Sequence, residues 1–151
     1  MTEAFAGATK FNQNLNSWDV SKVNIMKGIF WDAESFNGDV SKWNTRNVED
    51  MDVMFSGAKI FNQDLSSWDV SKVVSMKGMF SSTNAFNSNI SKWNTSNVAT
   101  MEQMFQDAKG FNQDLSGWNV DKVTHAENFR KGSESNFLEK HMPKFNSRTS
   151  K

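Results

Sequence analysis

Few residues in this chain could perform bond chemistry. The only histidines are His125 and His141, and there is no cysteine. Without cysteine there is no disulfide framework, thiolate metal site or thiol nucleophile. No glycine-rich phosphate loop, H-E-x-x-H or G-x-S-x-G motif occurs, and the scattered serines have no base beside them. The expectation is a protein that is not an enzyme and uses no cofactor or metal. What remains is chemistry of contact. Asp19, Asn44, Asp69, Asn94 and Asn119 each sit between a Trp and a Val or Thr. If those neighbours point inward, this row points outward. Lys42 and Lys92 stand two residues before Asn44 and Asn94, and Arg46 stands two after Asn44. The candidate binding face is therefore Asp19, Lys42, Asn44, Arg46, Asp69, Lys92 and Asn94. Alternation of Asp with Asn relieves like-charge repulsion between adjacent strands, as a solvated face would also require. The row does not supply the six to eight converging oxygens that calcium needs. Trp31 lies outside the tryptophan pattern and is a second candidate contact, as an exposed aromatic.

These positions recur because the chain repeats with a period of 25 residues. Phe recurs at Phe11, Phe36, Phe61, Phe86 and Phe111, each followed by Asn. Trp recurs at Trp18, Trp43, Trp68, Trp93 and Trp118, and Val at Val23, Val48, Val73, Val98 and Val123. Met recurs at Met26, Met51, Met76 and Met101 until Ala126 breaks the series. A longer period lies on top. Copies one, three and five read FNQNLNSWDVSKV, FNQDLSSWDVSKV and FNQDLSGWNVDKV, whereas copies two and four carry Lys before Trp, and Thr45 or Thr95 after the Asn. The Asn after each Phe is expected to form a structural ladder of stacked amides.

The spacing also predicts the elements that must position the face. Leu65-x-x-Trp68-x-Val70 ends with period two and suits a short strand, while Met76-x-x-Met79-Phe80 suits one or two helical turns weakened by Gly78. Neither can bury an apolar face alone, so copies must stack. The expected fold is an α/β repeat solenoid, leucine-rich-repeat-like, with five 25-residue coils, a short parallel sheet and short helical turns. An all-β solenoid is the alternative. The pattern FNQDLSSWDVSKV-x-x-M-x-x-MF resembles the 25-residue repeat of BspA-like surface proteins, also abundant in mycoplasma lipoproteins, over about Phe5 to Phe129. The resemblance implies a surface-contact module, extracellular or at the cell surface, with a protein or other surface ligand as partner.

Composition limits the partners further. The 17 basic and 17 acidic residues cancel, which gives no electrostatic reason to bind nucleic acid. No apolar run approaches the ~20 residues that span a bilayer, and MTEAFAGATK lacks the basic-then-apolar pattern of a signal peptide. The expected layout is a solenoid over 1–129, with a partial coil at 1–10 and coils starting at 11, 36, 61, 86 and 111. A C-terminal cap at 130–146, with a short helix over Ser135–Met142, and a disordered tail at 147–151 follow. A first coil without a full cap would expose Phe11, Leu15 and Trp18, the candidate edge for docking or self-association.

Overall fold

In the computed structural model, which describes residues 1–150, the chain winds into stacked 25-residue coils joined by isolated parallel bridges. The bridges run Ile25–Asp50, Asp50–Ser75, Ser75–Thr100, Thr100–His125 and His125–Ser150. Counted from them, coils 1 to 6 are residues 1–25, 26–50, 51–75, 76–100, 101–125 and 126–150.

The expected sheet and helical turns are not there. Among the described residues no strand is longer than a single bridge, and the one helical element is a 3₁₀ turn, Glu139–His141. Both the α/β solenoid with a parallel sheet and the all-β alternative are thereby overturned. Backbone handedness explains why. Positive φ recurs at residues 3, 28, 53, 78, 103 and 128, and again at 7, 32, 57, 82, 107 and 132, with angles of 47–81°. Two left-handed residues per coil, four apart, interrupt any extended or α-helical run. Gly28 and Gly78 are the glycines at the first of these positions. The apolar spacing that suggested a helix is met by successive three-residue turns instead. Met79 N–H donates to Met76 O at 3.2 Å, Ser81 N–H to Gly78 O at 3.1 Å and Thr83 N–H to Phe80 O at 3.1 Å. The stretch that suggested a strand is closed likewise, by Trp68 N–H to Leu65 O and Val73 N–H to Val70 O.

The backbone groups left over by the turns tie the coils together. At the junction of coils 2 and 3, the N–H groups of Met26, Gly28, Phe30 and Asp32 donate to the carbonyls of Asp50, Asp52, Met54 and Ser56. The same four rungs recur between coils 3 and 4, 4 and 5, and 5 and 6. The alternate backbone N–H groups of this arc are thus paired from coil to coil without a sheet.

Inside the stack run the apolar columns. Phe30 and Phe36 lie face to face with centroids 3.8 Å apart, and Phe55–Phe61 and Phe80–Phe86 repeat the pair at 4.0 Å. Along the stack, Phe36, Phe61, Phe86 and Phe111 follow one another at 5.7–6.1 Å. Such stacks add about 0.5–1.5 kcal/mol per pair beyond area burial. Indoles pair at 6.2 Å in Trp43–Trp68 and in Trp93–Trp118, in keeping with the 50-residue period. Each of these four donates its Nε1–H to a carbonyl of the preceding coil, on Leu15, Val40, Leu65 and Ile90 in turn. That bond is a reason for Trp at a core position where Phe would fill similar space.

The C-terminal segment completes a degenerate sixth coil. Ser133 Oγ donates to Phe105 O at 2.7 Å, as Thr83 Oγ1 does to Phe55 O. Phe137 is buried one residue beyond the Phe register, and buried Pro143 occupies the Trp position. Leu138, in the segment expected as a short helix, is exposed, and only Glu139–His141 takes helical form. Residues 147–150 are not a disordered tail but the closing turn. Thr149 Oγ1 donates to Val123 O at 2.9 Å, Ser150 N–H to Thr124 O at 3.1 Å and Ala126 N–H to Ser150 O at 2.7 Å. The bonds to Val123 O and Thr124 O occupy carbonyls of the fifth coil. Lys151 lies outside the described residues.

Two substitutions should move stability in opposite directions. Trp68→Ala removes a buried indole and its bond, and should cost roughly 3–5 kcal/mol. Val53 holds φ at 47°, where a β-branched residue is strained, so Val53→Gly should gain about 1 kcal/mol. Urea unfolding checks both, and a stabilised Trp68→Ala or a destabilised Val53→Gly would contradict this packing.

Candidate polar turn face and terminal edge

The exposed polar row is built of turns. Asp19, Asn44, Asp69, Asn94 and Asn119 each accept, through Oδ1, the backbone N–H two residues on. These are Asx turns, and they are the local reason for Asp or Asn at that position. A second row, which the sequence reading did not single out, does the same. Asn14, Asp39, Asp64, Asn89 and Asp114 accept from the N–H of residues 16, 41, 66, 91 and 116. Its signal was present in the sequence as Asp or Asn three residues after each repeat Phe.

Beside the second row runs the Asn ladder. Asn12, Asn37, Asn62 and Asn87 each accept, through Oδ1, the backbone N–H of the Asn one coil later, at 2.8–3.0 Å. Gln63 and Gln113 donate to Asn37 and Asn87 from the coils above. Thr45 and Thr95 point inward, fully buried, and donate to Asp69 O and Asn119 O. Asn47 and Asn97 donate across coils to Ser21 O and Ser71 O, and receive Lys72 and Lys122.

The side chains of Lys42, Arg46 and Lys92 are exposed, as are Asp19, Asn44, Asp69 and Asn94. They follow a line of turns rather than the expected sheet face, because the Asx geometry bends the chain at every one of them. Lys92 also borders a shallow polar groove of about 460 Å³, with Asn62, Asp64, Ser66, Asn87, Ser88 and Asn89. Trp31 is 43% exposed and stands apart from this line, on the turn before left-handed Asp32. At the first coil the expected edge is divided. Leu15 is buried, Phe11 is half-buried against Phe5 with centroids 4.2 Å apart, and Trp18 is 44% exposed. The four later repeat tryptophans are only 3–5% exposed.

Neither histidine joins a constellation. His125 meets the Thr124 hydroxyl at 3.0 Å on the surface, and His141 sits in the sixth coil. Among the described residues no group of three or more His, Asp or Glu side chains could hold a metal ion, and no helix is long and apolar enough to cross a membrane.

With this geometry in hand, comparison with known proteins gives one decisive match. A family model described as "Mycoplasma protein of unknown function, DUF285" matches residues 1–66 and 38–145. The chain belongs to that family. Neither the curated proteins nor the solved structures gave a match.

The carboxylates of both rows titrate low. In Asp19, Asp64, Asp69 and Asp114 the hydroxyl and the N–H of the serine two residues on hold the carboxyl below its ordinary range; in Asp39 the Ser41 N–H leads and its hydroxyl follows. A carboxylate lowered in the folded state stabilises it above the unfolded value, about pH 4, and loses that contribution as pH falls through the folded value. Urea midpoints should therefore drop on going from neutral pH to below about pH 4. Replacing these five Asp by Asn, the residue other coils already use there, should flatten the dependence. An unaltered acid transition in that variant would place its origin elsewhere.

Proposed function

We propose that this chain is a non-catalytic binding module of a surface protein, which contacts a protein or other surface ligand through its polar turn face. One observation supports this reading above the rest. The interior is filled by stacked Phe, Trp, Val and Met side chains, and the chemistry-bearing groups line up outside, where Lys42, Arg46 and Lys92 stand beside polar turns. Contact surfaces of stacked-repeat proteins are built in this way, from residues at one position repeated along the axis. The resemblance to BspA-like surface repeats points the same way and suggests the cell surface as the place of action.

A second reading is favoured by Trp18. In it the chain is a structural subunit that docks or stacks through its first coil. An indole 44% exposed, at a position buried in every later copy, is a hot-spot candidate of the kind that anchors interfaces.

The test is saturable binding of fluorescently labelled chain to cultured epithelial cells. The paired substitution Lys42→Glu and Lys92→Glu should lower that binding at least tenfold while the circular dichroism spectrum is unchanged. Binding that does not saturate, or that ignores both charges, would refute the turn-face reading.

A further inference from the structure

We propose that Asn37 is a modification site, a point of spontaneous deamidation, and that Gln63 of the next coil is the latch that sets its rate. Asn37 precedes Gly38, and no other Asn in the chain is followed by Gly. Glycine is the neighbour that best permits the reaction, because a residue without a Cβ neither shields its own N–H nor hinders ring closure. The Gly38 backbone nitrogen attacks Asn37 Cγ and gives up its proton to solvent. The C–N bond of the side-chain amide breaks, and ammonia leaves. Water then opens the cyclic imide at either carbonyl. One opening gives aspartate, and the other gives isoaspartate, with the main chain rerouted through the side chain.

The fold imposes this dipeptide. A Cβ at position 38 would collide with Gln13 O of the preceding coil, so glycine is needed there. The ladder uses Asn at 37, whose backbone N–H donates to Asn12 Oδ1 at 2.8 Å and whose Oδ1 accepts the Asn62 N–H at 2.9 Å. Among the described residues the Gly38 N–H has no acceptor, which leaves the attacking nitrogen unengaged.

Against this stands a clamp. Gln63 Nε2 donates both to Asn37 O at 2.8 Å and to Asn37 Oδ1 at 3.1 Å. Ring closure must turn the side chain about χ1 and the main-chain carbonyl about ψ, and Gln63 holds an oxygen moved by each rotation. Gln113 grips Asn87 O and Oδ1 in the same way, and Asn87 precedes the small Ser88. Asn12, Asn62 and Asn112 precede glutamine, a bulkier neighbour that itself slows cyclisation. Among the described residues none of those three is gripped by a glutamine from another coil. The clamp thus falls on the two ladder Asn whose neighbours are small, and Asn37 is the one before glycine. Conversion there adds a carboxylate beside the acidic row of Asp39 and Asp64. The isoaspartate form also inserts a backbone carbon, which takes the ladder out of register with Asn12 and Asn62.

The test holds folded chain in mildly alkaline buffer and follows every Asn by peptide mass mapping, with isoaspartyl methylation to mark the rearranged product. Wild-type chain should convert slowly, and at Asn37 ahead of any other Asn. Gln63→Met keeps the side-chain length but has no donor. Loss of its two hydrogen bonds should speed conversion at Asn37 about tenfold and leave Asn87 unchanged. Trp118→Ala truncates a buried residue in coil 5, away from the latch, and separates its release from a general loss of stability. Equal acceleration at Asn37 by Trp118→Ala and Gln63→Met would make global unfolding the route and overturn the latch. An unchanged rate in Gln63→Met would overturn it too. Wild-type chain unfolded in urea tests the site without any variant: conversion should be fastest there and again begin at Asn37. Conversion that begins at another Asn would overturn the assignment of the site.

Discussion

The structure depends on one constraint, the backbone hydrogen bonding of a chain that reverses direction every few residues. A turn-rich coil would ordinarily leave N–H and C=O groups without partners once its inner face is buried. Here two left-handed residues per coil aim alternate N–H groups along the stack, while the intervening ones close turns within the coil. The same division recurs at each junction from coil 2 to coil 6. This is how a chain almost without sheet or helix encloses a core of Phe, Trp, Val, Ile, Leu and Met.

Side chains then do what a sheet would have done. The Asn ladder replaces a row of backbone pairs, with an amide oxygen accepting from the next coil's main chain four times in succession. The indole Nε1–H groups pin each coil to the one before. Thr45 and Thr95 point into the core because their hydroxyls donate forward to Asp69 O and Asn119 O. That pair of bonds gives the even coils their own sequence, and the 50-residue period follows.

Much of this was legible in the sequence, and the rest was hidden for a physical reason. Inward Phe, Trp and Met follow from their period, and so does the outward row at Asp69. The secondary structure did not follow, because apolar spacing reports which side chains are inside and not the sign of φ. Met76, Met79 and Phe80 have helical spacing, yet they are buried on turns around left-handed Gly78. The same conformation is held by Val53, Gln103 and Asn128 at equivalent positions, residues whose types give little warning of it. The sixth coil was hidden differently. Its Phe is displaced to Phe137 and its Trp is replaced by Pro143, so the period fails to the eye while Ser150 still closes the last bridge. Of the candidate site, the charged residues lie outside as expected, but they stand on Asx turns, and the second such row went unread.

The central claim is that left-handed residues, four apart in every coil, replace helix and sheet. Its most direct test is the sign of φ at Val53 and Asp107 in isotope-labelled protein, from cross-correlated NMR relaxation. The account predicts positive values near 47° and 54°. Negative φ at both residues, in the helical or extended range, would contradict it.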